Sequence, residues 1–206
     1  LSGDEAMRKQ MRARLGDDVD DFIWHLRFRG HQIIEQRVQR YGIDCDLKHG
    51  HLHAAMKPSH LTELRAFAEE AERRGMGDQV HLLDREGVRQ NLDSPLYLGA
   101  LKNLRNLHLH PLNLCLGEAR AAHSLGALIF ENSEVLEIVH GDKPAVVTAQ
   151  GRVNAKQVML AGDVYHKLEP GQLKGKIFPA MGGIVTTAPL GELAKQLNPH
   201  DLAVYD

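Results

Sequence analysis

His108 and His110 flank Leu109 immediately before Pro111. In an extended segment, alternate side chains share a side, so this pair would present two imidazoles together. Imidazole gains and loses a proton near neutral pH and serves readily as a general base. One of the two could accept a proton from an amine or orient a substrate carboxylate. The competing reading has His110 capping a helix that opens at Pro111, with His108 in solvent. A second group, His49, His51 and His53, alternates along a strand-like segment. Three imidazoles on one face could begin a Zn²⁺ or Ni²⁺ site. No fourth ligand stands at a fixed spacing, so weak, opportunistic binding is expected and no metal is assigned. Arg105 and Lys102 could attract a substrate carboxylate or lie in a solvated loop. His31 reads as a packed or solvated helix residue, and Cys45 and Cys115 read as buried thiols in the reduced state.

These side chains need elements to hold them. Asp4 to Leu15 has helix-forming composition and ends at Gly16. From Asp18 to about Tyr41, Phe22, Ile23, Leu26, Ile33, Ile34, Val38 and Tyr41 recur at helical spacing, which predicts one apolar face and a stop at Gly42. Gly30 lies inside that helix and could mark a close contact. A strand is expected over Asp46–Ala55, a helix from Ser59, a strand over Val80–Leu83, and a short helix capped by Asp84 and running to Leu92. Tyr97–Leu101 reads as another strand. Pro111 suits a first helical position, with Leu112, Cys115, Leu116, Ala119 and Ala122 as the apolar stripe and Gly126 as the stop. Four strands then follow: Ala127–Phe130, Val135–Val139, Ala145–Thr148 and Val153–Ala161. The tail from Ile177 to Ala188 reads as a strand of a different sheet.

Composition sets the outer limits. The 206 residues are 43% hydrophobic and 25% charged, enough to bury a core without disulfide or metal staples. Lys and Arg number 25 against 27 Asp and Glu, so no basic excess points to nucleic acid or an anionic membrane as partner. Apolar runs fall well short of the roughly 20 residues of a membrane helix. Two cysteines make no disulfide framework, and a cytoplasmic location is expected. Protonating all 13 histidines would add 13 positive charges to a formal −2, so solubility and association should change between about pH 7 and pH 5. The sequence starts at Leu1 and stops just after the strand-like Leu202-Ala203-Val204. Both ends look cut, and an internal piece of a longer protein is expected.

Gly126-Ala127-Leu128-Ile129-Phe130, Ser133-Glu134-Val135, Thr148-Ala149-Gln150-Gly151 and Val158-Met159-Leu160-Ala161-Gly162-Asp163 resemble the second half of the nucleotide-binding domain in FAD-dependent amine and amino-acid oxidoreductases, the superfamily named after D-amino-acid oxidase. Tyr41 to Lys48, His108 to Ala119 and Thr187 to Glu192 are similar to the bacterial gamma-glutamylputrescine oxidoreductase group. The resemblance implies an α/β fold: an incomplete FAD/NAD(P)-binding, glutathione-reductase-like domain from residues 1–42 and 106–168, plus part of an α+β substrate domain from residues 43–105 and 169–206. It implies FAD as cofactor of the full-length parent, with Glu134 and Val135 at the adenine and Ala161 and Gly162 where the returning strand meets the flavin. His108 and His110 would lie near the substrate face. The implied substrate is a small-molecule amine such as a gamma-glutamylated polyamine, with dioxygen or another acceptor taking the electrons. Family members open on a Gly-x-Gly-x-x-Gly turn that holds the pyrophosphate. The 206 residues contain none, so tight FAD binding by this chain alone is not expected. Two rival readings stay open: a non-catalytic binding or scaffold domain that has lost the cofactor site, and a histidine-based metal-binding module.

Overall fold

The computed structural model describes residues 2–16, 18–165, 168, 170–173, 175–178, 180 and 182–206. Two units form. The first comprises residues 1–126 and 188–206, the second residues 127–187.

In the first unit, α1 (Ser2–Leu15) and α2 (Asp18–Tyr41) precede β1 (Lys48–Ala55), α3 (Pro58–Arg73), β2 (Val80–Asp84), α4 (Arg85–Arg89), β3 (Gly99–His108) and α5 (Pro111–Ser124). Asp84 caps α4, its Oδ1 accepting from the Gly87 N–H at 2.8 Å. β1 and β2 both run antiparallel to β3. A late strand, the Ala203–Tyr205 segment, joins parallel to β1 and gives a four-stranded sheet with β1 and β3 central.

Alternation along β1 and β3 sends side chains to two separate cores. On one face, Ala55 and Leu101 meet Leu64 and Ala71 of α3 and Trp24 and Phe28 of α2. On the other, Leu52, Ala54 and Ala100 meet Val88 of α4 and Leu202.

The buried stripe of α2 differs from the one its periodicity predicted. Trp24 and Phe28 are buried, whereas Phe22 and Leu26 are 62% and 56% exposed. The aromatic pair wins because it meets rings: Trp24 packs 5.7 Å from Phe28 and 5.5 Å from Phe67 of α3. Gly30 marks no close contact, since a Cβ there would meet nothing within 4 Å. On α5 the buried residues are Gly117 and Ala121, and Cys115 is exposed, contrary to the expected stripe. Small residues let α5 approach closely: a Cβ on Gly117 would collide with the Ile43 side chain. Cys45 is buried as expected, and its thiol is pushed up by burial and by Asp44 and Asp46.

The second unit holds an antiparallel meander of β4 (Val135–Val139), β5 (Ala145–Thr148) and β6 (Arg152–Asn154). Ala127–Phe130, expected as a buried strand, is irregular, and Leu128 and Phe130 are exposed. An apolar run becomes a buried strand only against hydrogen-bonding neighbours, and among the described residues none pairs with it. For the same reason the expected Val153–Ala161 strand ends at Asn154. Ile177–Ala188 forms no strand among its described residues, with Ile184 and Val185 fully solvated; residues 179 and 181 lie outside the described set. A short helix, α6 (Pro170–Leu173), completes this unit. In the first unit, α7 (Glu192–Leu197) leads into β7 (Ala203–Tyr205), the late strand beside β1.

Candidate functional site

The histidines of β1 are distributed by a bulge. Lys48 and His49 pair with His108 and Leu107, but beyond Gly50 the register shifts and His51 pairs with Asn103. The extra residues are on β3, where residues 104–106 face Gly50 alone, and Gly50 has φ +110°, a conformation side chains rarely adopt. It is also pressed against Leu202, whose Cδ2 would lie 2.5 Å from an added Cβ. The three imidazoles therefore meet different fates. His49 reaches outward, its Nε2 3.2 Å from Glu35 Oε1. His51 donates from Nε2 to the Leu107 carbonyl at 2.8 Å. His53 stacks on Tyr205, with ring centroids 4.4 Å apart. Among the described residues, no three His, Cys, Asp or Glu side chains gather as a metal-binding group.

His108 and His110 do not share an environment. His108 ends β3 with its Nε2 buried and without a hydrogen-bond partner. Its ring lies 6.2 Å from that of His51, and its field helps to hold the Asp201 carboxyl below the usual range, after the larger effect of Lys48. Lys48 bridges Asp46 and Asp201 at 2.8 and 2.6 Å, and these bonds push its ammonium up to about 12. His110 is exposed and caps α5: its Nδ1 accepts from the Asn113 N–H at 3.3 Å, and its own N–H donates to the Cys45 carbonyl at 2.7 Å.

Beside His51, a cavity of about 300 Å³ opens between α2, α3 and the sheet. Arg27, His31, His53, Asn103, Asn106 and Tyr205 help to line it. His31 donates from Nδ1 to the Arg105 carbonyl at 3.1 Å. That bond fixes the tautomer, so neutral His31 keeps a bare Nε2. Burial lowers the affinity of His31 and His53 for a proton. Arg105 is not a loop residue; it lies on β3 with its guanidinium over Phe28. Lys102, also on β3, donates to Asn91 Oδ1 at 2.7 Å. Asn103, Asn106, Tyr205 and Arg27 escaped the sequence reading. The one legible signal was a polar Asn103 two residues beyond Leu101, on the inward face of a strand.

Glu134, Val135, Ala161 and Gly162 all belong to the second unit. Val135 begins β4, opposite Thr148, with Glu134 exposed beside it. β4 is an edge strand among the described residues, so one of its backbone edges pairs with no strand there. Ala161 and Gly162 are exposed. The left-handed residue is Asp163, at φ +50°, rather than Gly162. Unpaired backbone groups on an edge strand are of a kind that can hold a dinucleotide cofactor such as FAD.

The family model described as FAD dependent oxidoreductase matches residues 7–206. The gamma-glutamylputrescine oxidoreductase of Escherichia coli (strain K12) is 39% identical over 93% of this chain and 45% of its own length. A probable oxidoreductase OrdL of Haemophilus influenzae is 32% identical over 87% of this chain and 43% of its own. The chain thus spans less than half the length of these relatives. Among solved structures, L-proline dehydrogenase from P. horikoshii shares the fold at TM-score 0.56 and 18% identity, covering 66% of this chain and 37% of that one. Glycine oxidase from Geobacillus kaustophilus does so at 0.53 and 24%, covering 65% and 37%. No helix among the described residues is long and apolar enough to cross a membrane. With its family model matched across nearly the whole sequence, the chain belongs to the FAD-dependent oxidoreductase family.

Proposed function

We propose that the full-length protein is a cytoplasmic FAD-dependent enzyme that oxidises a small primary or secondary amine, of the gamma-glutamylated polyamine type, and that His108 accepts the substrate's proton. Residues 1–42 and 106–168 contribute to cofactor binding, and residues 43–105 and 169–206 to the substrate side. The observation that carries the role of His108 is its buried Nε2 without a partner. A buried polar nitrogen left unpaired costs free energy. A substrate N–H would supply the missing bond.

At neutral pH an alkylammonium must lose a proton before its α-carbon can release hydride, because the developing iminium needs the nitrogen lone pair. His108 Nε2 takes that proton. His51, anchored on the Leu107 carbonyl, limits where the His108 ring can turn. Lys48, held between two carboxylates, stays charged and takes no part in proton exchange near neutrality. FAD would supply the two-electron acceptor when bound, and His108 would hold the proton lost by the amine. Val135 would hold the adenine through its backbone, and Ala161 and Gly162 would admit the flavin.

The test is His108→Gln in the full-length protein. Turnover should fall by about 10²–10⁴-fold, and the acid limb of its pH profile should disappear while flavin remains bound. An unchanged acid limb would refute the assignment of His108.

A further inference from the structure

We propose that Lys48 and Asp201 are positioning residues for His108: the lysine, clasped between Asp46 and Asp201, sets the charge that the candidate base faces across the β1–β3 pair. This inference rests on the role given to His108 above. Lys48 is the register partner of His108, where β1 begins and β3 ends. Directly opposed residues of an antiparallel pair send their side chains to one face, with Cβ atoms about 4.5–5.5 Å apart. Left alone, an ammonium so placed would repel an imidazolium and oppose proton uptake by His108.

The surrounding chain counters that charge. Lys48 Nζ lies 2.8 Å from Asp46 Oδ2 and 2.6 Å from Asp201 Oδ2. Asp46 precedes β1 and Asp201 precedes β7, so two separate turns deliver a carboxylate to one ammonium. Both aspartates hold φ of +50°, a left-handed backbone uncommon outside glycine but within reach of Asp and Asn. The Asp201 turn is closed by Asn198, which donates from Nδ2 to the Leu202 carbonyl at 2.8 Å and accepts from the Leu202 N–H at 3.1 Å. Leu202 in turn lies against Gly50 of β1. His108 adds to the field that, after Lys48, holds the Asp201 carboxyl below its usual range. Of the other ionisable side chains next to His108 in the fold, His51 of β1 is bound to the Leu107 carbonyl, and His110, at the start of α5, is bound to the Asn113 N–H. Arg105, earlier on β3, holds its guanidinium over Phe28. None of these three is a carboxylate. An imidazolium at His108 therefore faces a lysine whose charge is balanced, and Asp201 supplies that balance beside the ring.

The two halves of the clasp act on the ring with opposite sign. Asp201→Asn suits the left-handed backbone and leaves the Lys48 charge only partly balanced, so His108 should take up a proton less readily. Lys48→Met removes the cation and leaves Asp201 beside the ring, so His108 should take one up more readily. In the full-length protein, the acid limb of the kcat/KM profile for a gamma-glutamylated amine should move to lower pH in Asp201→Asn and to higher pH in Lys48→Met, by roughly 0.3–1 pH unit each. The Lys48→Met, Asp201→Asn double variant should return it toward wild type. A clasp that only holds two turns together would instead move both single variants the same way, and the double variant no less. In the ¹⁵N-labelled 206-residue chain at about pH 6.5, the His108 imidazole resonances should shift toward the imidazolium positions in Lys48→Met and toward the neutral ones in Asp201→Asn, with an unchanged circular dichroism spectrum. Shifts in the same direction, or none, overturn the proposal and leave His108→Gln as the separate test of the base. Opposed resonance shifts with a fixed acid limb would keep the hold of the clasp on the ring and remove His108 as the base.

Discussion

Two glycines make opposite predictions. Gly50 sits opposite the β3 bulge at φ +110°, and an alanine Cβ would lie 2.5 Å from Leu202 Cδ2. Forcing an ordinary residue into that backbone region costs about 1–3 kcal/mol. Leu202 is 6% exposed within the core that contains Leu52 and Val88. It can yield only in part, and crowding of this kind adds about 1–3 kcal/mol. Gly50→Ala should therefore destabilise by about 2–6 kcal/mol, against a typical total of 5–15 kcal/mol for a domain. At about 2–4 °C per kcal/mol, the melting temperature should drop by at least 4 °C. Gly30 is exposed in the middle of α2 with nothing within 4 Å of a Cβ and no positive φ. Gly30→Ala should stabilise by about 0.5–1 kcal/mol. Urea unfolding followed by far-ultraviolet circular dichroism measures both. Adding Leu202→Ala to Gly50→Ala should recover the crowding part, seen as a coupling of about 1 kcal/mol or more in a double-mutant cycle. A Gly50→Ala variant within about 0.5 kcal/mol of wild type would refute the bulge, and with it the register that separates His49 from His51.

Gly162 is exposed, so Gly162→Val should keep the unfolding of this chain within about 0.5 kcal/mol of wild type. In the full-length protein the same Gly162→Val change should sharply lower flavin occupancy, read by visible absorbance after desalting; full occupancy would remove Gly162 from the cofactor. Burial lowers the folded pKa of His31 and His53, so below the unfolded value of about 6.5 the unfolded chain binds more protons. Stability should be complete above that value, fall as pH drops through it, and level off below the folded values. The Glu70 and Asp201 carboxyls are held low by Arg73 with Arg74 and by Lys48 respectively, so their contribution is lost only under more acidic conditions. A His31→Gln, His53→Gln double variant should flatten the first limb and leave the second; an unchanged first limb would contradict the assignment. Cys115 is exposed and Cys45 buried, so a thiol reagent should label one thiol on the native chain and two in denaturant. Rapid labelling of both without denaturant would place Cys45 at the surface.

Local signals were legible where chain chemistry alone decides. Three acidic residues in the first turn of α2 and Gly42 at φ +59° bound a helix that runs from Asp18 to Tyr41 as read. Asp84 caps α4, and Pro111 opens α5. What depends on a partner was not legible. The periodicity of α2 permits an aliphatic stripe and an aromatic one, and partners distant in sequence, Phe67, Leu64 and Leu101 among them, select the aromatic stripe. Ala127–Phe130 has strand composition but pairs with no strand among the described residues. The cavity combines α2, β1, β3 and β7, and no local pattern links Arg27 to Asn103 or Tyr205.

The same distinction applies to the histidines. Residue type and spacing offered His108 and His110 either as a pair or with His110 as the cap of α5, and set His49, His51 and His53 on one face. Hydrogen bonding separates the members of both groups. His110 has its Nδ1 occupied by the Asn113 N–H and serves to start α5, whereas His108 keeps an unpaired buried nitrogen two residues earlier. The two roles depend on each other. The cap at His110 and the bond from its N–H to the Cys45 carbonyl fix the exit from β3, and that exit holds the His108 ring inward. A variant that breaks the cap, such as His110→Ala, should therefore act on His108 at a distance and shift its imidazole resonances in a proton–nitrogen spectrum. A change confined to the α5 terminus would instead leave the His108 imidazole resonances in a proton–nitrogen spectrum where they were. That outcome would separate the two histidines, leaving the cap as a local device with no bearing on the candidate base.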